Sequence, residues 1–227
     1  MAITFDAASS ASGSTGVSTM SWNHTVGAGT DRMLVAAALF RSTKSSVLVV
    51  SQATYAGTTM TKTIGTTNQV GVTQLITAEL WTMLNPPVGT TLVEITWSQS
   101  SISHPPSGHS VSYLGTTGTG NTAGSTGNSS ARSVSVTLQD AGSWLVAGHV
   151  WVGTVPGTTV SGETIRAMST GPLRLLGDAA PGTSGANTFN ITGGAAQAWA
   201  MAGLELRPSA VVGSTVVPRM TLVGVGP

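Results

Sequence analysis

The chain has 227 residues, of which only 7% are charged, and nine Lys and Arg against eight Asp and Glu give a net charge of +1. A surface with so little charge excludes the usual electrostatic binding of nucleic acid, and the lack of cysteine excludes disulfides, thiolate catalysis and Cys-type zinc sites. The 28 Ser and 35 Thr predict a neutral surface that is rich in hydroxyl groups.

Short segments of β type follow one another along the chain. Residues 20–26, 91–97, 133–138 and 188–192 alternate apolar and polar side chains, which is typical of strands with one buried face. Residues 33–40, 144–152 and 195–206 are apolar on both faces, which predicts central strands that are covered on both sides. For the alanine-rich residues 195–206 a helix is the alternative, although Trp199 and Gly203 disfavour it.

Turn residues separate these segments. Residues 85–89, Asn-Pro-Pro-Val-Gly, predict a hairpin-type connection, and residues 115–128 predict a loop rich in Gly, Thr, Ser and Asn. About ten to thirteen strands result. The chain is therefore predicted to be all-β, an antiparallel β-sandwich of two sheets with a jelly-roll-like path over residues 1–207. No apolar run approaches the ~20 residues of a membrane span.

Residues 208–227 differ from the rest, because apolar residues alternate there with Pro and Gly. They predict an extended C-terminal arm that binds a partner rather than forming its own core. The arm residues expected to make these contacts are Val211, Val212, Val216, Val217, Arg219, Met220, Leu222 and Val223.

A series of phrases resembles a known module. They are Asp31-Arg32-Met33-Leu34-Val35, the Thr54–Thr61 stretch TYAGTTMT, Glu79-Leu80-Trp81 followed by Asn85-Pro86-Pro87-Val88-Gly89-Thr90, Val111-Ser112-Tyr113, and Gly142-Ser143-Trp144-Leu145-Val146. Their order is similar to a β-sandwich module that recurs in bacterial surface proteins and phage structural proteins, over about residues 17–207. The resemblance implies a structural or binding unit without established catalytic residues, so it transfers no site residue.

Few residues suggest catalysis. Glu79 and Glu94 lie on either side of the 85–89 turn and would face each other if their strands paired, as the two acids of a glycosidase do. The favoured interpretation is that each is an ordinary surface or interface acid paired with an arginine. His24, His104, His109 and His149 show no spacing typical of metal ligands, so no metal or cofactor is expected.

Six tryptophans suggest binding, since exposed rings can stack on sugars, but their strand patterns favour a core or interface role. The sequence therefore predicts a non-enzymatic virion structural protein without a signal sequence, most simply a phage capsid decoration (cement) protein. Its expected partners are copies of itself, with a trimer favoured, and the major capsid protein or another virion protein. The alternative is an extracellular carbohydrate-binding or adhesive module of a tail fibre or bacterial surface protein.

Overall fold

Seventeen β-strands and no helix make up the part of the chain that the computed structural model describes, which is residues 1–43, 48–99, 104–153, 158–159, 162–169, 174–179 and 181–209. The all-β antiparallel sandwich is confirmed. The first nine strands are β1 (Thr4–Ser12), β2 (Thr19–Val26), β3 (Met33–Thr43), β4 (Val50–Tyr55), β5 (Thr58–Thr59), β6 (Thr61–Val70), β7 (Gln74–Leu84), β8 (Gly89–Trp97) and β9 (Ser107–Leu114). The other eight are β10 (Thr116–Ser129), β11 (Arg132–Leu138), β12 (Trp144–Trp151), β13 (Thr158–Thr159), β14 (Glu163–Ser169), β15 (Arg174–Ala179), β16 (Gly185–Thr192) and β17 (Gln197–Pro208).

Strands β1 to β9 form a first jelly roll of two sheets. Its inner sheet has the order β1-β9-β3-β7-β6, and its outer sheet has the order β2-β8-β4-β5. The first strand therefore pairs with the last, and the chain passes back and forth between the sheets, which is the jelly-roll path. Strands β10 to β17 repeat this path as a second jelly roll, with the inner sheet β10-β17-β12-β15-β14 and the outer sheet β11-β16-β13. The structure thus contains two pairs of sheets where the sequence suggested one.

The two inner sheets pack face to face, so the molecule has four layers. Val35 of β3 and Val146 of β12 lie in a shared core between the inner sheets. Their neighbours Leu34 and Leu145 point the other way, into the separate cores of the first and second jelly roll. Alternate side chains of one strand therefore serve two cores, which explains why residues 33–40 and 144–152 are apolar on both faces.

The two jelly rolls are related by an approximate two-fold axis through the shared core. Strand β6 packs on β17 as β14 packs on β9, β6 packs on β10 as β14 packs on β1, and β7 packs on β17 as β15 packs on β9. Equivalent strands also share sequence, because Leu34-Val35-Ala36 of β3 recurs as Leu145-Val146-Ala147 of β12. This repeat was not predicted, and the short shared phrase is the signal that could have revealed it.

Two local predictions were wrong. Residues 115–128 are not a loop, because nearly all of them belong to β10, which pairs with β17 and is held by the Asn68 amide through 2.9 Å hydrogen bonds to the carbonyls of Gly127 and Trp199. The 85–89 turn is not a hairpin, because it leads from β7 in the inner sheet to β8 in the outer sheet. Asn85 makes this crossing with a φ of 52°, a conformation that Asn tolerates better than most residues.

Residues 195–206 do not form the alternative helix, because most of them belong to strand β17, which extends through Pro208. Ser209 is also fixed, because its backbone amide donates to the Gly115 carbonyl and its side chain to Asp31. The remainder of the predicted arm lies outside the described residues. All eight candidate contact residues fall there, namely Val211, Val212, Val216, Val217, Arg219, Met220, Leu222 and Val223.

Candidate functional site

The two candidate carboxylates do not come together, because Glu79 lies on β7 of the inner sheet and Glu94 on β8 of the outer sheet. Glu79 is buried and accepts hydrogen bonds from the Lys62 ammonium at 2.7 Å and the Trp81 indole at 3.2 Å. Glu94 is exposed on the outer sheet. Glu79 is thus a buried acid paired with a lysine, whereas the favoured interpretation was a surface or interface acid paired with an arginine.

All six tryptophans are buried, with no more than 8% of any residue exposed. The core of the first jelly roll contains Trp22, Trp81 and Trp97, and the core of the second contains Trp151 and Trp199. Trp144 lies in the shared core. The packing is tight, since a Cβ on Gly108 would lie 2.3 Å from the Trp22 ring. The tryptophans are therefore core residues, and the row of exposed rings expected of a sugar site is not formed by them.

His24 makes the contact most like a catalytic pair. Its Nδ1 atom lies 2.8 Å from the Ser9 hydroxyl and 3.0 Å from the Ser110 hydroxyl, which also accepts the Trp22 indole N–H. The His24 Nε2 atom has no hydrogen-bond partner, so no acid orients the ring as in a hydrolase triad. Burial lowers the pKa of His24 to about 4, which keeps the imidazole neutral. The network ties β1, β2 and β9 together.

A second polar group lies inside the second jelly roll, where Arg132 stacks on the Trp151 ring at 4.1 Å and donates to the Gly193 carbonyl. His149 is fully buried nearby, and neither of its ring nitrogens has a hydrogen-bond partner. Burial, together with the Arg132 charge, lowers the pKa of His149 to about 3. Stacking on the Trp151 ring offsets part of the cost of burying the Arg132 guanidinium. These residues therefore have a packing role inside the second jelly roll.

Asp178 supplies the buried ion pair of the shared core. Its carboxylate accepts hydrogen bonds from the Tyr113 hydroxyl at 2.7 Å and from Arg166 Nε at 2.8 Å. Burial and the neighbouring carboxylate raise the pKa of Tyr113 well above its usual value, so the phenol stays protonated and donates. Because Tyr113 belongs to the first jelly roll and Asp178 to the second, this group joins the two halves.

We expect Asp178→Ala to destabilise the protein by about 3–5 kcal/mol, because it leaves the Tyr113 hydroxyl and the largely buried Arg166 without their acceptor. Urea unfolding followed by fluorescence measures the loss. Asp140→Ala is the matched control, since it removes an ion pair with Arg207 that is exposed on both sides. An equally large loss in the control would contradict this role for Asp178.

The end of the shared core away from Asp178 carries a basic cluster, which we define as Arg41, His104, His109 and Arg174. Arg41 Nη1 lies 3.1 Å from His104 Nε2. Arg174 Nη1 donates to the Pro105 carbonyl and to the Ser107 hydroxyl at 3.2 Å. Burial and then the Arg41 charge lower the pKa of Arg174 to about 10, so it remains a cation at neutral pH. Burial and then the Arg174 charge lower the pKa of His109 to about 4.

A groove of about 650 Å³ lies where the two ends of the described chain meet. It is lined by apolar side chains of Met1, Ile3, Trp144, Pro181 and Pro208. The Met1 amino group donates to the Ser209 carbonyl at its border. The described part of the chain therefore ends at Ser209 beside an apolar groove on the surface.

The residues of the resembling phrases contact one another in the structure. The Asn85 amide donates to the Arg32 carbonyl at 2.8 Å, and Arg32 Nε donates to the Pro86 carbonyl at 2.9 Å. The second jelly roll has the equivalent contact, since the Gly182 amide donates to the Ser143 carbonyl at 3.0 Å. These phrases thus fix the crossing from inner to outer sheet in both halves, which is a structural role.

Within the described ranges, no three His, Asp or Glu side chains converge as a metal site would require. That part of the chain also contains no helix of the length and apolarity needed to cross a membrane. Comparisons with family models, with curated proteins and with solved structures found no match to this chain.

Proposed function

We propose that the protein is a non-enzymatic structural component of a virus particle, a capsid decoration protein of a tailed phage. It stabilises the shell through contacts between its own copies and through the arm. The observation that carries this proposal is the fusion of two jelly rolls into one four-layer body. Jelly rolls are recurrent building units of viral shells, so the support comes from analogy of fold.

The outer faces of the molecule support association. Side chains exposed on the outer sheets are almost all uncharged. Glu94 is the single exposed charge on β2, β8, β11 and β16, because Arg132 of β11 is buried. The exposed positions are Thr19, Ser21, Asn23, Thr25, Thr90, Leu92, Glu94, Ser135, Thr137, Ala186, Thr188 and Thr192. Copies of such a surface repel one another little, which favours close packing of many copies on a particle. Jelly rolls also form lectins, but the burial of all six tryptophans removes the observation that favoured sugar binding.

Purified particles from cells that produce this protein provide the direct test. We expect it to co-migrate with the shell in a density gradient, in a fixed ratio to the major shell protein by quantitative mass spectrometry. Recovery only outside the particle fractions would contradict the proposal. Specific binding of neutral oligosaccharides by the isolated protein, in the absence of particle association, would favour the adhesive alternative.

Removal of residues 210–227 tests the arm. The cut follows Ser209 because Pro208 and Ser209 are held in the sandwich. We expect the full chain to sediment as a homo-oligomer, with a trimer favoured, and the truncated chain to keep its β-sheet dichroism while losing assembly or particle binding.

A full-length variant carrying Val216→Ser, Val217→Ser, Met220→Ser and Leu222→Ser is the control for length, and it should show the same loss because the contacts are apolar. Assembly that persists in both variants would refute the arm contacts. Loss of the folded state on truncation would show that the arm belongs to the sandwich itself.

A further inference from the structure

The basic cluster has two guanidinium groups and, among the described residues, no carboxylate that compensates them. All eight Asp and Glu side chains of the chain belong to the described residues. The ion pairs among those residues are Lys62–Glu79, Arg166–Asp178 and Arg207–Asp140. Arg41 and Arg174 therefore have no Asp or Glu carboxylate within 4.0 Å, the distance that defines an ion pair, and their like charges repel each other.

This arrangement is unfavourable when nothing else is bound. Arg174 is 2% exposed, and the Nε atoms of Arg174 and Arg41 are both buried without a hydrogen-bond partner. A buried cation without a counter-charge loses several kcal/mol of solvation, and an unpaired N–H donor adds to that loss. Within the described ranges, the two arginines thus lack both a counter-charge and a hydrogen-bond acceptor for each Nε atom.

We propose that the basic cluster is a binding site for a small oxyanion of the phosphate or sulfate type, held between Arg41 and Arg174 at the end of the shared core. Guanidinium groups suit this ligand because their planar N–H donors match the spacing of oxyanion oxygens. The hydroxyls of Ser107 and Ser169, which lie 3.0 Å apart, hold Arg174 in place, since Ser107 accepts from its guanidinium and Ser169 donates to its carbonyl. Arg41 and His104 are partly exposed, which gives the ion a path from solvent.

The ion would act on both halves of the molecule. Arg41, His104 and Ser107 come from the first jelly roll, whereas Ser169 and Arg174 come from the second. An anion bound between them cancels the repulsion across the shared core, so binding should stabilise the folded protein. This inference does not depend on the proposed virion role, because it concerns only the charges within one chain.

Inorganic phosphate is the probe for the test. In about 20 mM phosphate we expect the Tm to rise by roughly 4 °C or more over a chloride buffer of the same ionic strength. Arg41→Gln should lose at least half of this rise and weaken phosphate binding about tenfold by calorimetric titration. Without phosphate the same variant should be as stable as the wild type or more stable, because the repulsion is gone.

Arg207→Gln is the control, since Arg207 is exposed and lies in an ion pair far from the cluster in sequence. It should keep the full response to phosphate. Arg174→Gln, at the buried member of the pair, should lose the phosphate response as Arg41→Gln does. A Tm that follows ionic strength alone, or a phosphate response that survives Arg41→Gln, would overturn the proposal.

Discussion

Acidification from about pH 7.5 to about pH 4.5 is expected to unfold the protein, because three histidines are buried in their neutral form. Burial lowers the pKa of His24 and of His109 to about 4, and that of His149 to about 3. In the unfolded chain each imidazole returns to a pKa of about 6.5. Between pH 6.5 and pH 4 the unfolded state therefore binds about three more protons than the folded state.

The sign follows from this difference in bound protons. Above pH 6.5 both states carry neutral histidines, and the free energy of unfolding does not depend on them. Below pH 6.5 each histidine lowers the free energy of unfolding by about 1.4 kcal/mol per pH unit. Three histidines over two units amount to about 8 kcal/mol, which is comparable to the whole free energy of unfolding of an ordinary domain, about 5–15 kcal/mol. Urea midpoints measured at intervals of pH test this slope.

His149→Leu isolates the largest of the three contributions, because this ring has no hydrogen-bond partner to lose. At about pH 5 the variant should exceed the wild type in stability by about 2 kcal/mol, and the gain should shrink towards pH 8. Leu92→Gln, at an uncharged and half-exposed position of the outer sheet, should leave the slope between pH 6.5 and pH 4 unchanged. A wild-type protein whose stability is flat across that range would contradict the burial of neutral histidines.

Val146→Asp is expected to unfold both jelly rolls together. Val146 is fully buried in the shared core, so the substitution places an unpaired carboxylate between the inner sheets at a cost of about 4 kcal/mol or more. Neither inner sheet can cover its apolar face alone, because Met33, Val35, Leu80 and Val111 of the first roll depend on the second. We therefore expect a single cooperative transition.

Hydrogen exchange is the appropriate measurement, since it reports β3 in the first jelly roll and β12 in the second separately. In Val146→Asp both strands should lose protection to the same extent. Leu92→Asp is the matched control, because Leu92 is half exposed on the outer sheet and its replacement should cost less than about 1 kcal/mol. A first jelly roll that keeps its protection in Val146→Asp would show that the halves fold independently.

Much of the strand content was predictable because burial imposes a two-residue period. The alternation at residues 20–26 became β2, and the doubly apolar residues 33–40 became the central strand β3. Strand β10 was missed because neither of its faces is apolar. One face carries Thr122, Gly124, Thr126 and Asn128 and the other Ala123, Ser125, Gly127 and Ser129, a composition typical of loops. What supports β10 is contact with β6 and β17, which local sequence does not show.

The candidate site was less predictable, because contacts between residues distant in the sequence form it. Arg41 and Arg174 are far apart in the sequence and carry no motif, so only the packing of the inner sheets brings them together. The burial of Trp22 and Trp199 was the favoured interpretation from their aliphatic neighbours, and it was correct. The pairing of β7 with β8 failed as a prediction because a turn rich in Pro can cross between sheets as well as close a hairpin.

The approximate two-fold axis has a consequence for where charge can be placed. In a dimer of identical chains every interface residue occurs twice, once on each side of the axis. Here the positions equivalent to Arg174 and Asp178 of β15 are Ala78 and Thr82 of β7, as the pairing with β12 and β3 shows. Covalent fusion has thus allowed an arginine and an aspartate to appear once each. The seam between the halves consequently carries these two charges on its β15 side and none at the matching positions on its β7 side, a difference that a symmetric dimer of a single jelly roll could not possess.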